Sequence, residues 1–273
     1  MIHKSTALLL FLLAISTSLS AHAQLAHQTE RVPLSPAIAK RMTFQYMDIV
    51  ALDLLPRVRE ALKRIPSPSR RLLAVKYYLH RDSAEIARKW AWTSSEAKEF
   101  RGSEEYRRAM EEIAKVRAKF AELNPGHGLQ VHMEIRSLGS QIGKWNKVRS
   151  IGIAADELID TCMTFFTDTA LIFPGIPDEE SIARFREFIR TFEPKQLPTV
   201  ACPGLSQHGQ LRAFDFRVMR GGRLVAGTST RSIPTAWDEA GWTAKLKEAI
   251  EQASDRFEGP LEEPYEPWHY TYE

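Results

Sequence analysis

The chain reads as an α+β protein, with a small antiparallel sheet flanked by helices and a helical subdomain at the N-terminal end. Three observations predict this class. Apolar residues recur at helical spacing through the first hundred residues, while strict period-two alternation is confined to short segments in the second half. Those strand-like segments and the helices between them show no repeated β-α-β rhythm, which excludes a parallel doubly wound sheet.

The first element is a leader. Lys4, an apolar run over residues 7–15 and Ala21-His22-Ala23 before Gln24 make a positive end, a short hydrophobic region and an A-x-A site. This predicts a secretory signal peptide, residues 1–23, cleaved after Ala23 and too short for a typical membrane span. The expectation is therefore an exported protein, secreted or periplasmic, with no transmembrane segment in the mature chain. No cysteine lies near the cleavage site, so a lipid anchor is not expected.

About 250 residues remain, enough for one large or two small domains. Residues 24–100 read as the helical subdomain, with two to four helices. Ile49, Leu52, Leu55, Val58 and Leu62 mark one stripe, and Pro56, Pro66 and Pro68 punctuate it. Trp90 and Trp92 at its end are candidates for stacking on glycan strands, although aromatic residues among helices are more often core. Residues 101–273 form the second domain, with an insertion around 145–200.

That domain opens with a charged helix over residues 103–123. Tyr106, Met110, Ile113, Val116 and Phe120 form its apolar stripe, and Asn124-Pro125-Gly126 stops it. Residues 129–135 then alternate, with Leu129, Val131, Met133 and Ile135 on one face and Gln130, His132, Glu134 and Arg136 on the other. Arg136 is thus expected to end the polar face of a strand. In the long connection that follows, helices are predicted over 141–147 and 179–192. Two strands, 212–219 and 223–226, are joined by Gly221-Gly222, a two-residue hairpin turn. A helix over 245–253 and a terminal strand over 265–272, broken by Pro267, complete the chain.

Bulk properties exclude little. With 37 Lys and Arg against 34 Asp and Glu the net charge is +3, too small to predict nucleic acid as a partner. The two cysteines, Cys162 and Cys202, form either one disulfide in an oxidising compartment or two buried thiols.

The chemistry lies in three short segments. Ser206, His208, Ala213 and Asp215 fit S-x-H-x-x-G-x-A-x-D at every position except Leu211, which stands where the pattern has glycine. Glu266-Pro267-Trp268-His269 fits E-x-W-H. Upstream, Arg136-Ser137-Leu138-Gly139-Ser140-Gln141 follows the alternating segment. Two imidazoles and a carboxylate make a three-ligand metal site with an open position, and a second carboxylate nearby supplies a candidate general base.

These segments, in this order, resemble the zinc D-alanyl-D-alanine metallopeptidases, the VanY-like carboxypeptidases and their relatives, which cut the peptide stems of bacterial cell wall. The third segment is similar to that family's Y-R-S-x-x-x-Q, with Ile135 in place of the aromatic. The resemblance covers residues 105–273 and leaves the first hundred residues outside it. It implies a zinc groove across a small antiparallel sheet, with Zn2+ held by His208, Asp215 and His269. It further implies Glu266 as the base that takes a proton from water and Arg136 as the group that stabilises the oxyanion. Ser206 and Gln141 would hold the terminal carboxylate of the substrate, giving a carboxypeptidase acting on peptidoglycan stem peptides at a bond next to a D-amino acid. Trp268 is expected to pack and fix His269.

Three alternatives stand beside this reading. One is a murein endopeptidase; another is a zinc-containing envelope binding module without activity, since hedgehog signalling domains resemble the same fold. The third, the iron site of non-haem oxygenases, commonly uses His-x-Asp, whereas six residues separate His208 from Asp215. His127 and His132 lie near Arg136 but fall on no ligand position of the pattern.

Overall fold

The computed structural model describes residues 34–168, 173 and 176–273. The leader read at residues 1–23 lies outside them. The class is α+β, as the periodicities predict.

Proline places the first helices. Helix α1 (Pro36–Ala51), α2 (Pro56–Lys63) and α3 (Pro68–Leu79) each carry Pro at the start, where its missing N–H costs nothing and its fixed φ suits the first turn. Ser35 and Ser67 cap α1 and α3 through their hydroxyls. Asp82 and Thr93 cap two more, α4 (Ser83–Lys89) and α5 (Ser94–Arg101), so five short helices stand where periodicity predicts two to four. The caps restart the helix within a stripe that reads as continuous.

Helix α6 (Glu104–Leu123) follows, capped by Ser103 and burying Ile113, Val116 and Phe120. It leads into β1 (His127–His132), then α7 (Leu138–Lys147), α8 (Arg149–Thr167) and α9 (Glu179–Thr191). After a 3-10 turn (Gln207–Gln210) come β2 (Ala213–Arg220), β3 (Arg223–Ala226), α10 (Trp242–Ala253), β4 (Phe257–Glu258) and β5 (His269–Tyr272). The terminal strand is thus shorter than the 265–272 expected. Glu266 and Pro267 belong to the turn before it, in which Glu266 forms a bridge with Leu261.

Two hydrophobic cores organise these elements. The first joins Tyr46, Val50, Leu72 and Tyr78 to Trp145, Leu158, Phe166 and Phe185. Helices α8 and α9, read from sequence as an insertion in the second domain, therefore pack on the N-terminal helices, as does Trp145 of α7. Cys162 and Cys202 are buried there as free thiols, and burial pushes both thiols up, Cys202 to about 12. The second core lies between the sheet and helices α6 and α10 and contains Phe120, Phe214, Phe216, Trp237, Leu246 and Trp268. Among the described residues no helix is long and apolar enough to cross a membrane.

The sheet is antiparallel, in the order β1-β2-β5-β4, with β3 also paired to β2. Strand β2 is its spine. Its first residues pair with β5, its last with β3, and its other edge with β1. Gly221 and Gly222 both have positive φ, as a two-residue hairpin turn requires. Phe214, Phe216 and Val218 point into the second core, so Ala213, Asp215 and Arg217 take the opposite face.

Candidate metal centre

Cross-strand register builds the site. Asp215 on β2 stands opposite His269 on β5 and opposite His132 on β1, so the three side chains form a row across one face of the sheet. The 3-10 turn carrying His208 lies over this row. His208 and Asp215 are only 4% and 5% exposed.

His269 Nδ1 lies 3.1 Å from Asp215 Oδ1, and His208 Nε2 lies 3.4 Å from the same oxygen. The three ligand atoms fall within 4.8 Å of one another, a group able to hold a metal ion. Two imidazole nitrogens converging on one carboxylate oxygen in a buried site make an N2O donor set of a kind that divalent transition metals accept. Electrostatics favour the ligating forms. Burial pushes His208 below its ordinary value, against the pull of Asp215, so its imidazole is neutral at pH 7. Burial alone would raise the Asp215 carboxyl, but hydrogen bonds from His208 and His269 and the Arg136 charge outweigh it and hold the group well below the usual range.

Glu266 sits at the edge of this group, with Oε2 3.7 Å from His269 Nδ1 and its side chain 17% exposed. Its backbone is fixed at both ends: its N–H donates to Leu261 O, and its carbonyl accepts from His269 N–H. Burial raises its carboxyl above the ordinary value, Asp215 adds to the rise, and the His269 and Arg136 charges oppose it. A carboxylate made more basic in this way is a better proton acceptor.

Arg136 is placed differently from expectation. Strand β1 ends at His132, and Arg136 follows four residues later in a non-regular segment whose N–H donates to His208 O. Its guanidinium bonds Asp215 Oδ2 at 2.8 Å. One oxygen of Asp215 thus faces the histidines while Arg136 takes the other. Removing a group that orients a metal ligand typically costs about 10–100-fold in metal affinity. Arg136→Ala is therefore expected to weaken metal binding by about that factor, measured by competition with a chelator; unchanged affinity would mean that the Arg136 contact does not orient Asp215 for a metal.

Gln141 is 5% exposed, and both ends of its amide are occupied. Nε2 donates to Arg136 O at 2.8 Å, and Oε1 accepts from Gly204 N–H at 2.9 Å. It ties the Arg136 segment to the loop leading to His208, which engages the carbonyl and one of the two amide hydrogens in the fold. Ser206 is half-buried, precedes the 3-10 turn, and makes no capping bond through its hydroxyl.

Leu211 keeps the backbone angle that a glycine would supply. It has φ 53° and is the only non-glycine with positive φ among the described residues. The side chain is 2% exposed and belongs to the second core. The left-handed conformation costs roughly 1–2 kcal/mol, whereas emptying a buried leucine site costs about 2–5 kcal/mol. Leu211→Gly is therefore expected to lose about 1–3 kcal/mol in chemical denaturation. A more stable variant would mean that strain outweighs packing.

The remaining sequence candidates fall elsewhere. Trp268 is buried against Trp237, a packing residue as expected. Trp90 packs on Tyr78 and Trp92 on Phe100. His127 lies beside Trp242, away from the ligand group. His132 shares the ligand row but is not among the converging atoms, and its Nδ1 is buried without a hydrogen-bond partner. Lys144, which sequence reasoning passed over, is exposed along its stem. Its amine is partly desolvated and lies within the field of Arg136, Asp215 and Glu266. The available signal was its helical spacing, one turn after Gln141.

Comparison with protein-family models, curated proteins and solved structures gives no match to this chain. What the fold and the site define is a class by chemistry: an α+β protein whose sheet face carries a possible His-Asp-His metal centre beside a buried carboxylate.

Proposed function

We propose that this chain is an exported zinc-dependent peptidase that hydrolyses the peptide stems of bacterial peptidoglycan next to a D-amino acid, as a D,D- or L,D-carboxypeptidase. The observation that carries the reading is the convergence of His208, Asp215 and His269 within 4.8 Å, with Glu266 at 3.7 Å from the His269 ring. The likeness of the three segments to the zinc D-alanyl-D-alanine peptidases supplies the substrate class. The leader-like residues 1–23 supply the compartment.

Zinc at this site would lower the pKa of a water and polarise the scissile carbonyl. The protein's own part is positional and acid–base. His208 is neutral and buried, the charge state in which an imidazole binds a metal. Arg136 and the cross-strand register hold Asp215 in place. In hydrolysis a water adds across the peptide C–N bond. Glu266 accepts the proton of the attacking water and passes it to the departing amine, so the carboxylate ends the cycle as it began.

One observation favours a second reading of the cut. Because Gln141 is 5% exposed and bonded to Arg136 O and Gly204 N–H, at most one of its amide hydrogens is left to join Ser206 in clamping a terminal carboxylate. That weakens discrimination for chain ends and favours an endopeptidase. The test is mass spectrometry of muropeptides incubated with the mature protein, with and without a chelator. Loss of a terminal residue supports the carboxypeptidase, scission of cross-linked or amidated stems supports the endopeptidase, and no chelator-sensitive product rejects both.

A further inference from the structure

A groove of about 1050 Å³ opens beside His269, and its walls come from the N-terminal helices and from the C-terminal segment. Arg88 and Trp92 belong to the helical half, Gln210 to the turn carrying His208, and Glu258 and Glu262 to the segment before the terminal strand. The helical wall is fastened to the metal-site loop. Ala91 N–H donates to Gly204 O and Trp92 N–H to Gly209 O, at 2.8 and 3.1 Å. The Gln210 amide donates to Arg88 O and Trp90 O at 2.7 and 2.9 Å. A side chain on Gly204, at φ 87°, would strike the Trp90 ring at 2.6 Å, so the contact is close as well as bonded.

The charges in this groove divide into neutralised and free. Lys89 is paired with Glu85 and Arg212 with Glu105, each at 2.9 Å. Arg88, Glu258 and Glu262 form no ion pair among the described residues. With Glu273, which also lines the groove and forms no ion pair among the described residues, the groove offers one free guanidinium from the helical half and three free glutamate side chains from the C-terminal segment, next to a metal-ligand candidate. An acidic group alone would meet the glutamates, and a basic group alone would meet Arg88. A group carrying both charges satisfies both sets.

We infer that this groove is a substrate subsite for a residue bearing a free carboxylate and a free ammonium together, such as the far end of a diamino diacid in a stem peptide. This rests on the peptidase reading above. Arg88 takes the carboxylate, for which its planar fork gives a two-bond fit, and Glu258 and Glu262 take the ammonium. The Trp92 ring covers the intervening methylenes. The helical half, which the family resemblance leaves out, then sets specificity by forming one wall of the cleft.

The test is calorimetric binding of two synthetic stem pentapeptides to the zinc-loaded Glu266→Gln protein. One carries meso-diaminopimelate at the third position and the other L-lysine, which keeps the ammonium but lacks the second carboxylate. The diaminopimelyl peptide is expected to bind about tenfold or more tightly. Arg88→Ala should erase that preference by weakening the diaminopimelyl peptide alone, and Glu258→Gln with Glu262→Gln should weaken both peptides. Equal affinities, an unchanged preference in Arg88→Ala, or no binding of either peptide would overturn the subsite. The two readings fail separately: selective binding with no cleavage by the wild-type protein defeats the peptidase and spares the subsite, while cleavage without preference does the reverse.

Discussion

Glu266→Gln is expected to lower turnover of stem peptides by about 10²–10⁴-fold, the usual cost of losing a general base, with zinc content unchanged. Gln has the size and hydrogen-bonding shape of Glu but cannot accept the proton. The turn that holds residue 266, through Leu261 O and His269 N–H, is made by backbone groups and should survive the change. Because proton transfer is needed only on the way to the transition state, kcat should fall while KM moves little.

Stability supplies an independent check on Glu266. Its carboxyl is raised in the folded state by burial, so folding favours the protonated form. As pH rises from the unfolded value through the folded one, ionising this group costs stability. Metal-free Glu266→Gln should therefore melt at or above the wild-type temperature at pH 7, with the difference vanishing below the ordinary glutamate range. A variant that keeps zinc and hydrolyses at near wild-type rate would remove Glu266 from the mechanism.

Asp215→Ala is expected to abolish stoichiometric zinc binding, and His208→Ala to do the same. A three-ligand site that loses a ligand should suffer more than the roughly 10–100-fold seen when only an orienting group is removed. Asp215 does more than ligate. Its carboxyl is held below the usual range, so the stability it contributes is present at neutral pH and is lost as pH falls through its folded value. Removing it also strands the Arg136 guanidinium, which is 23% exposed. Breaking a fully buried pair costs about 3–5 kcal/mol, and partial exposure reduces that here to about 1–3 kcal/mol. His208→Ala leaves the Arg136 pair intact and should lose zinc with a smaller loss of apo stability. Full zinc occupancy in both variants, measured by elemental analysis, would reject the ligand assignment.

How much of this was legible in the chain differs from element to element. The helices at either end of β1 follow from apolar spacing and from Ser103, and the hairpin from Gly221-Gly222, because both signals act over a few residues. The five N-terminal helices were blurred into fewer because a continuous apolar stripe conceals capped restarts at Asp82 and Thr93. Strand β1 stops at His132 although its alternation runs on to Arg136: the pattern records which faces residues prefer, while a strand lasts only as far as it finds a partner, and β2 ends its pairing at Asp215.

By itself, the sequence determined the donor set. The residue types and spacings of His208, Asp215, Glu266 and His269 were readable without coordinates, and two-residue alternation put Asp215 on the strand face away from Phe214 and Phe216. Tertiary structure alone decided how those residues meet and what else they touch. Asp215 and His269 are 54 positions apart and become neighbours through the pairing of β2 with β5. The contacts of Arg136 with Asp215, of Gln141 with two backbone segments, and of residues 88–92 with the metal-site loop likewise join distant parts of the chain. The physical reason is range. Periodicity, capping and turn preference are set by neighbours within a few residues, whereas side-chain partnership depends on which surfaces pack and in what register, a choice made by burial across the whole molecule.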